Sequence, residues 1–327
     1  MTWVDLRAAG TLFDLFLAVL GAIAGSFASA AIHRIPREDL TLRNPRRSCC
    51  PSCGHQLAWF ENLPLLSFLI LRGRCRSCRR RIGWGYPANE AALALLFLAA
   101  GHSWAGQAPL SLLLVLVVLT ALWIAAGIDF RHFILPDGIT LGGMPFGLLA
   151  SALVPAFQGL QAGDPQAPFG TAWLGLDPSA SPHWLGFLSG VLGGGVALGS
   201  LLGLRALFSY LLRQEALGLG DVKYLGAVGC LVGLEGALWC LLVGVVTGAA
   251  LGFLNILRMI LVVHHRRARR GRRKNFGDTV RTGWLLGRRI PFGPPLVLGT
   301  MLMVLVPDWT RGLFLETWPH LLRSWLQ

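Results

Sequence analysis

The chain has 327 residues, of which 54% are hydrophobic and only 14% charged. An average soluble domain carries about 25% charged residues, so this composition excludes a soluble globular protein. The formal net charge is +13, from 29 Lys and Arg against 16 Asp and Glu; in so apolar a chain such an excess reports membrane orientation before nucleic acid.

Several apolar stretches run for about 20 residues, enough to cross a bilayer. Lipid leaves only helices or closed barrels as spanning structures, and the alternating pattern of barrel strands is missing from the sequence. The expectation is an all-α polytopic membrane protein with about eight transmembrane helices, at 12–32, 88–104, 109–127, 138–156, 184–208, 222–234, 237–262 and 292–308. In the first, "FASAA" at 27–31 looks like a cleavage site. Asp5 nevertheless offsets Arg7, and the apolar block is longer than a signal core. A retained helix is therefore expected.

The loops sort by charge. Loop 33–87 carries many arginines, from Arg34 to Arg81, and loop 263–291 holds "HHRRARRGRRK". Loop 157–183 has no Lys or Arg. Basic loops stay cytoplasmic, which puts the N-terminus outside and loops 33–87, 209–223 and 263–291 inside. The run at 264–274 reads as a solvated charge block near anionic lipid, with no nucleic-acid role expected. No repeat is evident along the chain.

Within the first basic loop stand Cys50-Pro51-Ser52-Cys53 and Cys75-Arg76-Ser77-Cys78. Two such knuckles, each offering two thiolates, suit a tetrahedral zinc ion. A small polar loop gains its fold from such a metal, and the expected cytoplasmic placement disfavours disulfides. Free or redox-active thiols are the alternative. Cys49 is a spare neighbour of Cys50, while Cys230 and Cys240 read as buried hydrophobes. Four cysteines close the zinc shell, so the chemistry should lie elsewhere.

Two acids stand at the expected cytoplasmic ends of membrane segments. Asp129 ends the apolar run of segment three, and Asp221 follows Gly218-Leu219-Gly220 at the start of segment six. An acid at that depth is a functional-site signal. If the segments pack together, the two carboxyls form a general base and a general acid for attack of water on a peptide carbonyl. Gly218 and Gly220 lack a Cβ, which lets a substrate backbone approach. Lys223 is expected to snorkel, and Asp137 to cap segment four. An ordinary cap role for Asp221 is the competing view.

Taken together, these residues resemble the prepilin peptidases, within the GxGD intramembrane aspartyl proteases. The resemblance rests on "GSFASAAIHRIP" (25–36), the cysteine stretch 50–78, "YPANE" (86–90), "IDFRHFILPD" (128–137), "GLGDVKYLGAVGCLVG" (218–233) and "IPFGPPLVLG" (290–299). It implies Asp129 and Asp221 as the catalytic pair, with Gly218, Gly220 and Lys223 as the supporting motif. It also implies a bacterial inner-membrane enzyme that cuts the basic leader of type IV prepilins or type II secretion pseudopilins. The cysteine loop is typical of members that then N-methylate the new terminus with S-adenosylmethionine. The implied organisation is a first span (1–32), a cytoplasmic tetracysteine domain with a methyltransferase role (33–87) and a transmembrane aspartyl peptidase domain (88–327). Departures are Leu217 and Leu219 in the second motif and the long loops 157–183 and 264–289. The rival readings are a peptidase without methylation, a transporter using both aspartates as an ion relay, and a scaffold recruiting partners through the cysteine loop.

Overall fold

The computed structural model describes residues 10–37, 48–158, 181–213, 218–269, 276–287 and 291–311. Arg43, Arg46 and Arg47 of the first basic loop, Leu217 and residues 159–180 of loop 157–183 lie outside the described residues, as do 270–274 of the basic run. The described residues are mainly helical, and their only extended pairings are two isolated bridges. The helices are α1 (Thr11–Arg34), α2 (Leu66–Ile70), α3 (Gly85–Ser103), α4 (Pro109–His132), α5 (Asp137–Leu153), α6 (Pro182–Leu212), α7 (Leu219–Arg269), α8 (Phe276–Gly287), α9 (Gly293–Leu305) and α10 (Pro307–Arg311). Every expected membrane segment falls on one of them. By length and composition α1, α4, α6 and α7 are long and apolar enough to cross a membrane, and α9 is a shorter apolar helix.

Helices α1 and α3 pack antiparallel. Gly21 meets the backbone of Leu93 and Ala94, and Gly25 that of Asn89 and Glu90. A polar relay joins this pair to α4: Asn89 Nδ2 donates to Ser29 Oγ at 3.0 Å, and Trp123 Nε1 donates to Asn89 Oδ1 at 3.2 Å. The opposite side of α1 exposes Leu12, Leu15, Phe16, Val19, Ile23 and Phe27. These recur at helical spacing, and so large an apolar stripe is a face for lipid.

Helix α4 starts on Pro109, where a missing N–H costs nothing. It carries no charge until Asp129 in its last turn. It ends at Phe133, in the left-handed region with φ 58°, whose N–H donates to the Asp129 carbonyl at 2.9 Å. Helices α6 and α7 cross where Gly193 meets Gly229; an added Cβ on Gly229 would lie 2.5 Å from the Gly193 carbonyl oxygen. Such small-residue contacts let membrane helices approach closely.

Helix α7 is broken at Gly233, where φ 76° and ψ 177° fit only glycine. The break divides it into the two segments expected from the sequence. The arm before Gly233 packs on α5 and α6, and α9 runs antiparallel along the arm after it, with Cys240 against Gly299 and Gly244 against Leu296. Helix α8 folds back on the same arm, placing Gly283 on Ile260 and Gly287 on Ile256. The interior joins these parts through Leu119, Ile128, Val222 and Leu296. Within it, Trp104 Nε1 donates to the Val304 carbonyl at 2.8 Å. The Tyr224 hydroxyl lies 2.7 Å from Thr300 Oγ1, which itself donates to the Leu296 carbonyl at 3.1 Å, so Tyr224 is the donor to Thr300.

Candidate active site and metal centre

The cysteine loop contains a local duplication that the residue pattern did not reveal. The Cys50 N–H donates to the His55 carbonyl at 2.8 Å, and the Cys75 N–H to the Arg80 carbonyl at 2.8 Å. The Gly54 N–H returns to the Cys50 carbonyl as the Arg79 N–H returns to that of Cys75. Leu57 bonds to Ser48, and Ile82 to Gly73, closing each unit. Even the two bridges correspond, Cys49 with Gln56 and Arg74 with Arg81. Each knuckle therefore needs a left-handed residue after its second cysteine. The first uses Gly54 (φ 71°) and the second uses Arg79 (φ 59°).

That asymmetry gives a prediction. A side chain in this region costs about 1–2 kcal/mol, and glycine's extra chain entropy offsets roughly half of that. Arg79→Gly is expected to stabilise the metal-loaded loop by about 0.5–1 kcal/mol, read as a higher chelator concentration at half-release.

The duplication brings four sulfurs together. Sγ of Cys50 lies 3.9 Å from that of Cys78, and Sγ of Cys53 lies 4.0 Å from that of Cys75. All four sulfurs fall within 4.8 Å of one another. A disulfide needs about 2.05 Å. Thiolates around zinc at about 2.3 Å stand about 3.8 Å apart across a tetrahedron edge. The spacing therefore fits a metal ion and not a bond between sulfurs. Cys49 is exposed and outside the group, while Cys230 and Cys240 are buried in the helical core. Beside the knuckles, the Ala58 N–H donates to Glu61 Oε2 at 2.8 Å and holds that carboxyl below its usual range despite burial, helped by His55.

The two aspartates arrive from α4 and α7. Asp129 is buried, with 6% of its surface exposed, and its Oδ2 accepts the Gly293 N–H at 2.9 Å. Gly293 opens α9, so the helix presents an unsatisfied N–H to a carboxylate. A Cβ on Gly293 would lie 2.5 Å from that same oxygen. Asp221 sits in the first turn of α7. Gly220 is packed against Leu135, in the connection that follows Asp129, which draws the two helix ends together. The space left by the absent Cβ of Gly220 is thus filled by Leu135. Gly218 faces Asp221, with an ideal Cβ 3.0 Å from Oδ2.

Two neighbouring expectations need correction. Lys223 does not snorkel freely: its Nζ donates to Asp137 Oδ1 at 2.8 Å, tying α7 to α5. Asp137 is not the cap of α5, because Pro136 holds that position and no side-chain cap bond forms. Sequence reasoning also missed the positioning contact of Gly293, although it noted the stretch 290–299. One turn beyond Asp221, Tyr224 lines an apolar cleft of about 280 Å³ between α4, α5, α7 and α9. Val118, Leu122, Phe146 and Val228 form its walls.

Fold and site together define a polytopic helical membrane protein with a tetracysteine loop. Residues 19–104 match the family model described as bacterial peptidase A24 N-terminal domain, and residues 116–253 match that of the type IV leader peptidase family. The chain belongs to the type IV leader peptidase family. Curated relatives carry the name prepilin leader peptidase/N-methyltransferase. The Myxococcus xanthus protein is 36% identical over 248 residues, which is 76% of this chain and 64% of that relative. The Klebsiella pneumoniae protein is 34% identical over 229 residues, covering 68% and 87%. The Pseudomonas putida protein is 28% identical over 329 residues, covering 94% and 95%. No solved structure matches the chain. These matches do not favour the ion-relay reading.

Proposed function

We propose that this chain cuts the leader from prepilins or pseudopilins and then N-methylates the new terminus, in the bacterial inner membrane with its knuckles and aspartates facing the cytoplasm. The observation that carries the reading is the packing of Gly220, beside Asp221, on Leu135 in the connection that follows Asp129, which sets the two helix ends side by side. The family and the names of its relatives support the same reading. The proposed organisation is a first span over 1–32, a tetracysteine domain with a methyltransferase role over 33–87 and a peptidase domain over 88–327.

In the proposed cleavage one carboxylate takes a proton from water as its oxygen bonds to the scissile carbonyl carbon. The partner carboxyl hydrogen-bonds the developing oxyanion. As the C–N bond breaks, its electron pair stays on nitrogen and accepts a proton from a carboxyl. Gly293 orients Asp129 for these steps, while Gly218, Gly220 and Lys223 hold the start of α7 in register. The apolar cleft at Tyr224 takes the hydrophobic segment that follows the cut, and the basic leader remains outside it. The four thiolates Cys50, Cys53, Cys75 and Cys78 would hold a zinc ion that would brace the loop and take no part in the cleavage. S-Adenosylmethionine is the methyl donor.

The test is mass spectrometry of a prepilin incubated with the purified protein and S-adenosylmethionine. Leader loss with one added methyl is the expected result; an intact prepilin would overturn the reading. Gly293→Ala gives a second check. Its methyl group forces Asp129 out of place, and misplacement of a catalytic group by about 1 Å costs about a hundredfold in rate. Cleavage is expected to fall by about that factor, with helical content by circular dichroism unchanged.

A further inference from the structure

Helix α7 runs well past the level of Asp129. Gly248 lies against Phe292 and Pro295, which flank the start of α9 where the Gly293 N–H meets Asp129. From that level a rise of about 1.5 Å per residue carries α7 about 30 Å further, to Arg269. Helix α8 turns back along this extension. Thr279, Gly283 and Gly287 are buried at every fourth position of α8, and the two glycines meet Ile260 and Ile256. Asn255 Nδ2 donates to the Gly287 carbonyl at 3.0 Å and fastens the end of α8 to α7.

The outer surface of this hairpin is apolar. Leu251, Phe253, Leu254, Leu257 and Leu261 are exposed on α7, and Trp284, Leu285 and Leu286 on α8. Protein surfaces in water rarely carry so many large apolar side chains together, which points to a cover. The directions of these side chains identify it. Successive helical residues point about 100° apart, so Trp284, Leu285 and Leu286 face three ways, and Phe253 and Leu251 lie on well-separated sides of α7. A docked helix would cover a single stripe, whereas lipid covers every side at once. Charge agrees with lipid. Arg258, His264, His265 and Arg266 are exposed on α7 and Arg281 on α8, and the only acid between 249 and 287 is Asp278. Leucines, a tryptophan and arginines together are the composition of helices that sit at an anionic bilayer surface, where arginine reaches the headgroups from an apolar stem.

We propose that the α7–α8 hairpin is a lipid anchor seated in the inner leaflet, with its leucines, Phe253 and Trp284 among the acyl chains and Arg258, Arg266 and Arg281 on anionic phosphate headgroups. The choice of leaflet rests on the orientation proposed above; the contact with lipid does not. Because the hairpin joins Gly248 to Gly293, the leaflet that holds it also holds the link by which the chain returns to Asp129.

The test uses the full-length protein in nanodiscs of equal parts phosphatidylglycerol and phosphatidylcholine. The photoreactive residue p-benzoylphenylalanine replaces Leu257 or Leu285, and mass spectrometry identifies what it captures on illumination. Both positions are expected to capture phospholipid, as should Leu15 on the exposed stripe of α1. Phosphatidylglycerol should exceed phosphatidylcholine among the adducts about fivefold, the preference that one arginine near the surface confers. Arg258→Gln, Arg266→Gln and Arg281→Gln combined should bring that ratio close to unity, and an unchanged ratio would overturn the role of the arginines. Capture of a second copy of the chain, or no capture where Leu15 captures lipid, would overturn the anchor. Cleavage is measured on the same samples. A protein that cleaves prepilin without capturing lipid at the hairpin sinks the anchor alone, and one that captures lipid without cleaving sinks the proposed function and leaves the anchor standing.

Discussion

Asparagine at Asp129 or at Asp221 is expected to lower prepilin cleavage by about a thousandfold or more, with the protein still folded. Proton transfer by a placed side chain contributes about 10²–10⁴ in rate. Neither carboxyl can take over for the other, because one must accept a proton while its partner donates one. Asparagine keeps the shape of aspartate and can still accept the Gly293 N–H, so the Asp129 site should keep its packing. The measurement is single-turnover cleavage of a purified prepilin followed by mass. Cleavage at more than about a tenth of the parent rate in either variant would remove that residue from the mechanism. Methylation of a prepilin already cut supplies the contrast, since it should survive in both variants.

Serine at Cys75 is expected to release the metal and unfold residues 48–82. Structural zinc sites contribute about 10–16 kcal/mol of apparent binding energy in small domains, far more than this loop can draw from its own packing. Cys75 is the one cysteine of the four that is buried, so water cannot replace the lost ligand without entering the loop. Zinc analysis and limited proteolysis read the effect: the parent should hold one equivalent and resist cutting between 48 and 82, and the variant should do neither. A variant that holds zinc and resists protease would show that three thiolates suffice.

The residues that could be read from sequence were those that break a pattern. Asp129 stands out because some twenty uncharged residues precede it, and the cysteine knuckles because their spacing has few other uses. The two aspartates could be paired only by assuming that their segments meet. The contacts that draw the ends together, Leu135 on Gly220 and Gly293 on Asp129, join parts of the chain too distant for any local period to report. The duplication of the knuckles escaped for a different reason. The copies share only two cysteines and a serine, because the repeat lies in backbone turns that Gly54 and Arg79 satisfy with unlike side chains. Lys223 and Asp137 were each assigned a solitary role, and opposite charges on separate helices gave no hint that they pair.

The break at Gly233 has a consequence for the distance between the carboxylates. Asp221 rides on the arm before the break, which Gly229 clamps to α6, while the arm after it carries α9 and with it the N–H that orients Asp129. The jaws of the site thus belong to two limbs of one helix, joined at a single backbone pivot. The gap is gauged there as in a pair of callipers, whose opening is set at the joint and not at the tips.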